Sequence, residues 1–295
     1  MTHGRAEVRR LLDEHHLSPS RALGQNFVAD ANTVRRVVRL ADVGNGDRVV
    51  EVGAGLGALT LALLESGATV TAVEIDHHLV PLLRGEVDAR GARVVEADAL
   101  TADWDELADP GSGPWALVSN LPYNVAVPVV VRVLEQAPQV TSLLIMVQRE
   151  VGERLAADPG SRAYGLVSVK VGYWATARVV GSVSPQVFIP RPRVESVLVR
   201  MDRRSPAGCP EGDGGGSGGG QGAASTAGPG SPVYERLFEV VRAGFAQRRK
   251  MLRRSLAGVV APEAFGAAGV AETDRAEQLG LADWCRLAAH GSGAG

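Results

Sequence analysis

The sequence predicts an α/β protein built on a parallel sheet, with a smaller helical domain after it. Three observations predict this. From residue 48 to about residue 150, short β-branched apolar runs alternate with helix-length segments. A glycine-rich turn joins the first of those runs to the helix that follows. Beyond residue 202 the composition changes abruptly, and a Gly-rich stretch precedes a basic, helix-patterned segment. Strand–helix alternation of this kind places helices on both faces of a sheet with parallel strands.

Taken in order, residues 1–40 read as helical, with Val34, Val37, Val38 and Leu40 at helical spacing. RVVEV (48–52) is a short buried strand, followed by a Gly-rich turn and the helix LTLALLES. TVTAVEI (69–75), ARVVEA (92–97), WALVSN (115–120) and VTSLLIMV (140–147) are further strands. The stretches HHLVPLLRGEV and Pro128 to Leu134 supply helices between them. ARVVGSVS and VESVLVRM are two more strand candidates able to close the sheet edge. The first domain is therefore expected over 1–202. Residues 203–232 contain GDGGGSGGGQGAASTAGPGSP, without core-forming residues, and read as a flexible linker. VYERLFEVVRAGFAQRRKMLRRSL reads as one amphipathic basic helix that opens a small helical domain over 233–295.

Composition narrows the function. Apolar residues at 45% and charged residues at 22% are ordinary for a globular chain, not a disordered one. The apolar runs are too short to span a membrane, and the charged N-terminus lacks a secretory core. A cytoplasmic protein without a membrane partner is expected. A formal net charge of −2 means that nucleic acid, if bound, must meet a local basic patch. Two cysteines, Cys209 and Cys285, make no disulfide framework and lack zinc-site spacing. Each is expected as a free, inert thiol, and no metal-ligand cluster is expected.

EVGAGLG (51–57) follows a strand and precedes a helix. Glycines at 53, 55 and 57 let the backbone turn tightly and approach a ligand. Nucleotide oxidoreductases use a similar turn, but their spacing is G-x-G-x-x-G, not G-x-G-x-G. Glu74 ends the second strand, where a carboxylate accepts hydrogen bonds from ribose hydroxyls. Asp98 follows the third strand, in reach of an adenine amino group. A nicotinamide-dinucleotide domain shares these features; the end of the fourth strand argues against it.

That strand runs into Asn120-Leu121-Pro122-Tyr123. The exocyclic nitrogen of adenine is a poor nucleophile because its lone pair is delocalised into the ring. A carboxamide oxygen and a backbone carbonyl that accept its two N–H groups favour a pyramidal nitrogen, aimed at a sulfonium methyl. Asn120 and the Leu121 carbonyl supply those acceptors, Pro122 stiffens the turn, and Tyr123 offers a stacking face. Positioning then carries the reaction, and no general base is needed. A plain strand-end turn with Asn as a cap would use the same residues.

LGQNFVAD (23–30), EVGAGLGALT, AVEID, NLPYN, MVQREVGERL (146–155), FIPRPRVES (188–196), FAQRRKMLRRSL (245–256) and RAEQLGLADWCRLA occur in this order. In these motifs the chain resembles the ribosomal RNA adenine dimethyltransferase family, over nearly its whole length except the linker. The resemblance implies a Rossmann-like, seven-stranded class I methyltransferase sheet with a small helical C-terminal domain. It implies S-adenosyl-L-methionine as cofactor, contacted by Asn26, Val28, Gly53, Gly55, Glu74, Asp98 and Asn120. It makes Asn120, Leu121, Pro122, Tyr123 and Phe188 catalytic, with Phe188 clamping a flipped-out adenine opposite Tyr123. The implied substrate is a pair of adjacent adenosines near the 3′ end of 16S rRNA, in the assembling 30S subunit. No metal and no obligate protein partner are implied. Arg191, Arg193, Arg248, Arg249, Lys250 and Arg253 are the expected RNA contacts, giving affinity through phosphates. Two other readings stay open: a relative acting on large-subunit rRNA, and an assembly factor whose methylation is dispensable.

Overall fold

The structure is a computed structural model that describes residues 2–205, 207–209 and 227–291. Most of the Gly-rich segment expected as a linker lies outside the described residues. The chain divides into two compact units, 1–152 with 177–202, and 153–176 with 203–295.

The first unit is the predicted α/β domain. Its strands are β1 (Phe27–Val28), β2 (Arg48–Val52), β3 (Thr69–Glu74), β4 (Arg93–Glu96), β5 (Trp115–Asn120), β6 (Val140–Gln148), β7 (Ala175–Val183), β8 (Phe188–Ile189) and β9 (Ser196–Arg203). Seven of them form one sheet in the order β4-β3-β2-β5-β6-β9-β7. Pairing is parallel from β4 through to β6 and antiparallel between β6 and β9. The inner parallel strands β2, β3, β5 and β6 are largely buried on both faces, which is why they read as unbroken β-branched runs instead of alternating ones; β4, at the edge, is not. One face is covered by the helices Ala31–Ala41 and Ala58–Glu65, whose Val34, Val37, Val38, Leu59 and Leu63 pack on Val49, Val70, Val118 and Leu144. The first of these helices starts where the Asp30 carboxylate accepts the Thr33 N–H at 2.9 Å.

The N-terminal forty residues are not continuously helical. A helix spans Arg5–Glu14, and residues 15–30 are irregular apart from β1, which pairs antiparallel with β8. That two-residue pairing joins segments about 160 positions apart, so local periodicity carries no trace of it.

The second unit departs from the expected 233–295 domain in taking residues 153–176 as well. Those residues continue the strand–helix rhythm in sequence, but their aromatic side chains pack elsewhere. Tyr164, Val169 and Tyr173 share a core with Tyr234, Phe238, Phe265 and Trp284. The Tyr164 hydroxyl donates to the Leu279 carbonyl at 2.9 Å, and the Tyr173 and Tyr234 rings stand 5.3 Å apart, edge to face. The segment expected as one basic helix is broken: a helix covers Pro232–Ala246, and a short one Leu252–Ser255 follows a turn.

Cys209 and Cys285 form a disulfide, contrary to the free thiols expected from spacing. Spacing alone misses it because the two are 76 residues apart in sequence and meet only in the folded unit, with Cα atoms 5.9 Å apart. Closing so long a loop stabilises a fold by about 2–4 kcal/mol. Thiol alkylation of the purified, unreduced protein is expected to modify neither cysteine, and Cys285→Ser should lower the melting temperature. Full labelling without reductant would show the bond to be absent in solution.

Candidate active site

β2 and β5 are neighbours in the sheet although β3 and β4 come between them in sequence. Where strand order reverses in this way, a crevice opens beyond the carboxyl ends. The loops leaving β2 and β5 meet there and line one cavity, together with 23–28, 73–75 and 97–100.

Two glycines make the meeting possible. Gly53 has φ +73°, and a Cβ on it would stand 3.1 Å from Cδ of Pro122. Gly55 has φ +57°, and a Cβ there would come within 3.0 Å of the Phe27 ring. A side chain at either position is strained in backbone and crowded in space. The Gly55 N–H donates to Glu74 Oε2 at 2.7 Å. Oε1 of Glu74 accepts the N–H groups of Ile75 and Asp76, each at 2.9 Å. Burial raises the Glu74 carboxyl above the usual carboxylate range, against the pull of those three amides. Beneath it Glu51 is fully enclosed, and Thr60 Oγ1 donates to its carboxyl at 2.5 Å. Burial pushes the Glu51 carboxyl up to about 8.

Asn120 ends β5. Its Nδ2 donates to the Asn26 carbonyl at 2.9 Å, which fixes the carboxamide orientation. Its Oδ1 is buried without a hydrogen-bond partner. Asn26 in turn donates from its own Nδ2 to the Gly24 carbonyl at 3.1 Å. The N-terminal motif therefore braces the strand-end asparagine, a task in addition to the cofactor contact expected of Asn26. Leu121, Pro122 and Tyr123 line the same cavity, as do Val28 and Asp98. The Tyr123 hydroxyl bonds with Ser196 Oγ at 2.8 Å, and burial raises its pKa. Ser196 is fully buried and escaped the sequence reading, as did Gln25, Phe27 and Ile75 in the cavity wall. Gln25 and Phe27 lie inside the LGQNFVAD motif, Ile75 inside AVEID and Ser196 at the end of FIPRPRVES, so the motifs held the signal without assigning these residues a role.

Three expectations need correction. Phe188 is only 1% exposed and packs in the core with Val28, Val183 and Leu198. It is not part of the cavity wall, because pairing of β8 with β1 seats it against Val28. Arg248 is half-buried and committed within its own unit, with Nε 2.7 Å from Glu277 and a second nitrogen 2.8 Å from the Arg162 carbonyl. It ties the turn after the helix Pro232–Ala246 to the segments around Arg162 and Glu277, and is poorly placed to grip phosphate. Lastly, a group of potential metal ligands does exist among the described residues, at Asp76, His77 and His78. Arg191, Arg193, Arg249, Lys250 and Arg253 are exposed, as phosphate contacts must be. Arg253 also lies 3.5 Å from Glu272.

Comparison with known proteins agrees with this geometry. Residues 18–213 match the family described as ribosomal RNA adenine dimethylase. The chain is 50% identical to the ribosomal RNA small subunit methyltransferase A of Kineococcus radiotolerans, over 97% of this chain and 91% of that protein. A crystal structure of the 23S rRNA methyltransferase ErmE superposes with a TM-score of 0.65 at 25% identity, covering 90% of this chain and all of that one. A dimethyladenosine transferase from Plasmodium falciparum shares the fold, with a TM-score of 0.69 at 18% identity, over 88% and 94% of the two chains. The chain belongs to the ribosomal RNA adenine dimethylase family, whose members are S-adenosylmethionine-dependent methyltransferases.

Proposed function

We propose that this protein dimethylates the exocyclic amines of two adjacent adenosines near the 3′ end of 16S rRNA, acting in the cytoplasm on the assembling 30S subunit. The observation that carries the reading is the buried, unpartnered Oδ1 of Asn120 at the mouth of the cofactor crevice. A buried acceptor without a donor costs about 1–3 kcal/mol, so a fold keeps one where a ligand will supply the donor. With Nδ2 tied to Asn26, the oxygen is the carboxamide atom left to receive an amine. The small-subunit name of the relative at 50% identity supports the rRNA assignment.

The residues present fit the cofactor. Glu74 retains acceptor capacity on Oε2 for a ribose hydroxyl, the Gly53–Gly55 turn allows close approach, and Asp98 faces the same cavity. S-adenosylmethionine supplies an electrophilic methyl on a cationic sulfur. The protein contributes orientation: Asn120 Oδ1 and the Leu121 carbonyl accept the two amine hydrogens, turning the lone pair toward the methyl. Tyr123, held by Ser196, gives the base a stacking surface. Exposed Arg191, Arg193, Arg249, Lys250 and Arg253 bind the RNA backbone.

Labelled donor incubated with unmethylated small subunits is expected to give dimethyladenosine in 16S rRNA. Incorporation only into naked 23S rRNA would overturn the assignment in favour of a large-subunit target, the substrate named for ErmE. Glu74→Ala should weaken cofactor binding by about 1–3 kcal/mol, the loss of a charge-assisted hydrogen bond. Calorimetry with the cofactor checks this, and unchanged affinity would dismiss the ribose role.

A further inference from the structure

Next to the cofactor crevice lies a second cavity of about 600 Å³, lined by residues of 12–27 and of the turn 75–79. Four of the six histidines in the chain, His15, His16, His77 and His78, line it together with Asp76. They come as two adjacent pairs, on two segments that meet at this cavity. The imidazole and carboxylate ligand atoms of Asp76, His77 and His78 all lie within 4.8 Å of one another. The two adjacent rings stand 3.9 Å apart, tilted by 40°.

The turn that carries them is well braced. Asp76 Oδ1 accepts the His78 N–H at 3.0 Å, and Oδ2 accepts Nε2 of Gln25 at 2.7 Å. The Asp76 carbonyl accepts the Leu79 N–H at 2.9 Å as the helix Val80–Val87 begins. Each carboxylate oxygen keeps a further lone pair, and each imidazole offers one from its neutral form. Among the described residues no lysine or arginine lines this cavity, while a carboxylate does. An anion would meet Asp76 without a countercharge; a cation would meet acceptors. Two nitrogens and one oxygen suit zinc, nickel or copper(II), whereas magnesium and calcium take oxygen ligands.

We propose that Asp76, His77 and His78 bind a divalent transition-metal ion, with water completing its coordination. The site borders the cofactor crevice, since the two cavities share Leu23, Gln25, Phe27 and Ile75, but His77 and His78 line only the second. His77 and His78 are exposed, so replacing them leaves the core intact.

The test uses the full chain without a histidine tag, stripped with chelator and dialysed. Zinc titrated by calorimetry is expected to fill one saturable site. His77→Ala and His78→Ala should each weaken it at least about tenfold, while His290→Ala leaves it unchanged. Copper(II) bound to the parent protein should show nitrogen hyperfine structure in its paramagnetic resonance spectrum, lost in the double variant. Melting curves in chelator, matching the parent, establish that the variants are folded. No saturable binding by the parent, or equal binding by the parent and the double variant, overturns the proposal.

Discussion

Replacing Asn120 with alanine is expected to lower the rate of methyl transfer by about two to three orders of magnitude, the usual loss when one preorganised polar partner is removed from a reacting centre. The size of the effect follows from what the side chain already has. Its Nδ2 is bound to the Asn26 carbonyl, so the carboxamide does not need to be ordered when substrate arrives. Its Oδ1 waits buried and unpaired, so desolvation is complete before the amine enters. Alanine removes both, and the amine nitrogen then relaxes toward the planar, delocalised form that reacts poorly. Folding should suffer little, because losing one hydrogen bond is offset by losing an unsatisfied oxygen. Cofactor affinity should fall only modestly. Single-turnover transfer to small subunits separates these effects, with calorimetry and melting curves as controls. A variant that turns over normally would remove the acceptor role of Asn120.

Much of that site was legible before any coordinates. EVGAGLG, Glu74 and NLPY fall at the ends of strands whose apolar runs are plain in the sequence, and a parallel sheet gathers such ends on one edge. The central strands β2, β3, β5 and β6 were legible for the same reason: largely buried on both faces, they are continuous and β-branched, whereas the edge strands β4 and β7 are more exposed. Features set by non-local packing were not legible. Residues 153–176 keep a strand–helix rhythm, yet Tyr164 and Tyr173 bury against Phe238 and Trp284, which lie far along the chain. The β1–β8 pair is two residues long, and it decides that Phe188 is a core residue instead of a wall of the cavity. Cys209 and Cys285 are separated by 76 residues, and no spacing rule reaches that far. Asp76, His77 and His78 are adjacent in sequence, but adjacency does not reveal that their donor atoms converge or that His15 and His16 share the cavity.

Glu51 gives the other large expected effect, on stability. It opens the glycine motif, and its side chain lies in the interior, where burial first of all, with the neighbouring Glu74 charge adding to it, pushes the carboxyl up to about 8. The Thr60 hydrogen bond opposes that rise and does not cancel it. In the unfolded chain the same group titrates near an ordinary glutamate value, about 4.3. Between those two values the folded state holds one proton more than the unfolded state. Stability contributed by this group is therefore fully present at low pH and falls as pH rises, by about 1.4 kcal/mol per unit. Across the window from about pH 4.5 to 8 the loss approaches about 5 kcal/mol, and above it both states are ionised and the slope vanishes. Glu51→Gln keeps an acceptor for Thr60 Oγ1 and cannot ionise. Near pH 5 the variant should match the parent or fall slightly below it, and at pH 8 and above it should be the more stable protein. Urea unfolding of both proteins across this range gives the difference directly, with contributions from other titrating groups largely cancelling. A difference that stays flat with pH would mean that Glu51 is ionised throughout in the folded state, and that the charge beneath the glycine turn is compensated by contacts other than the Thr60 hydroxyl.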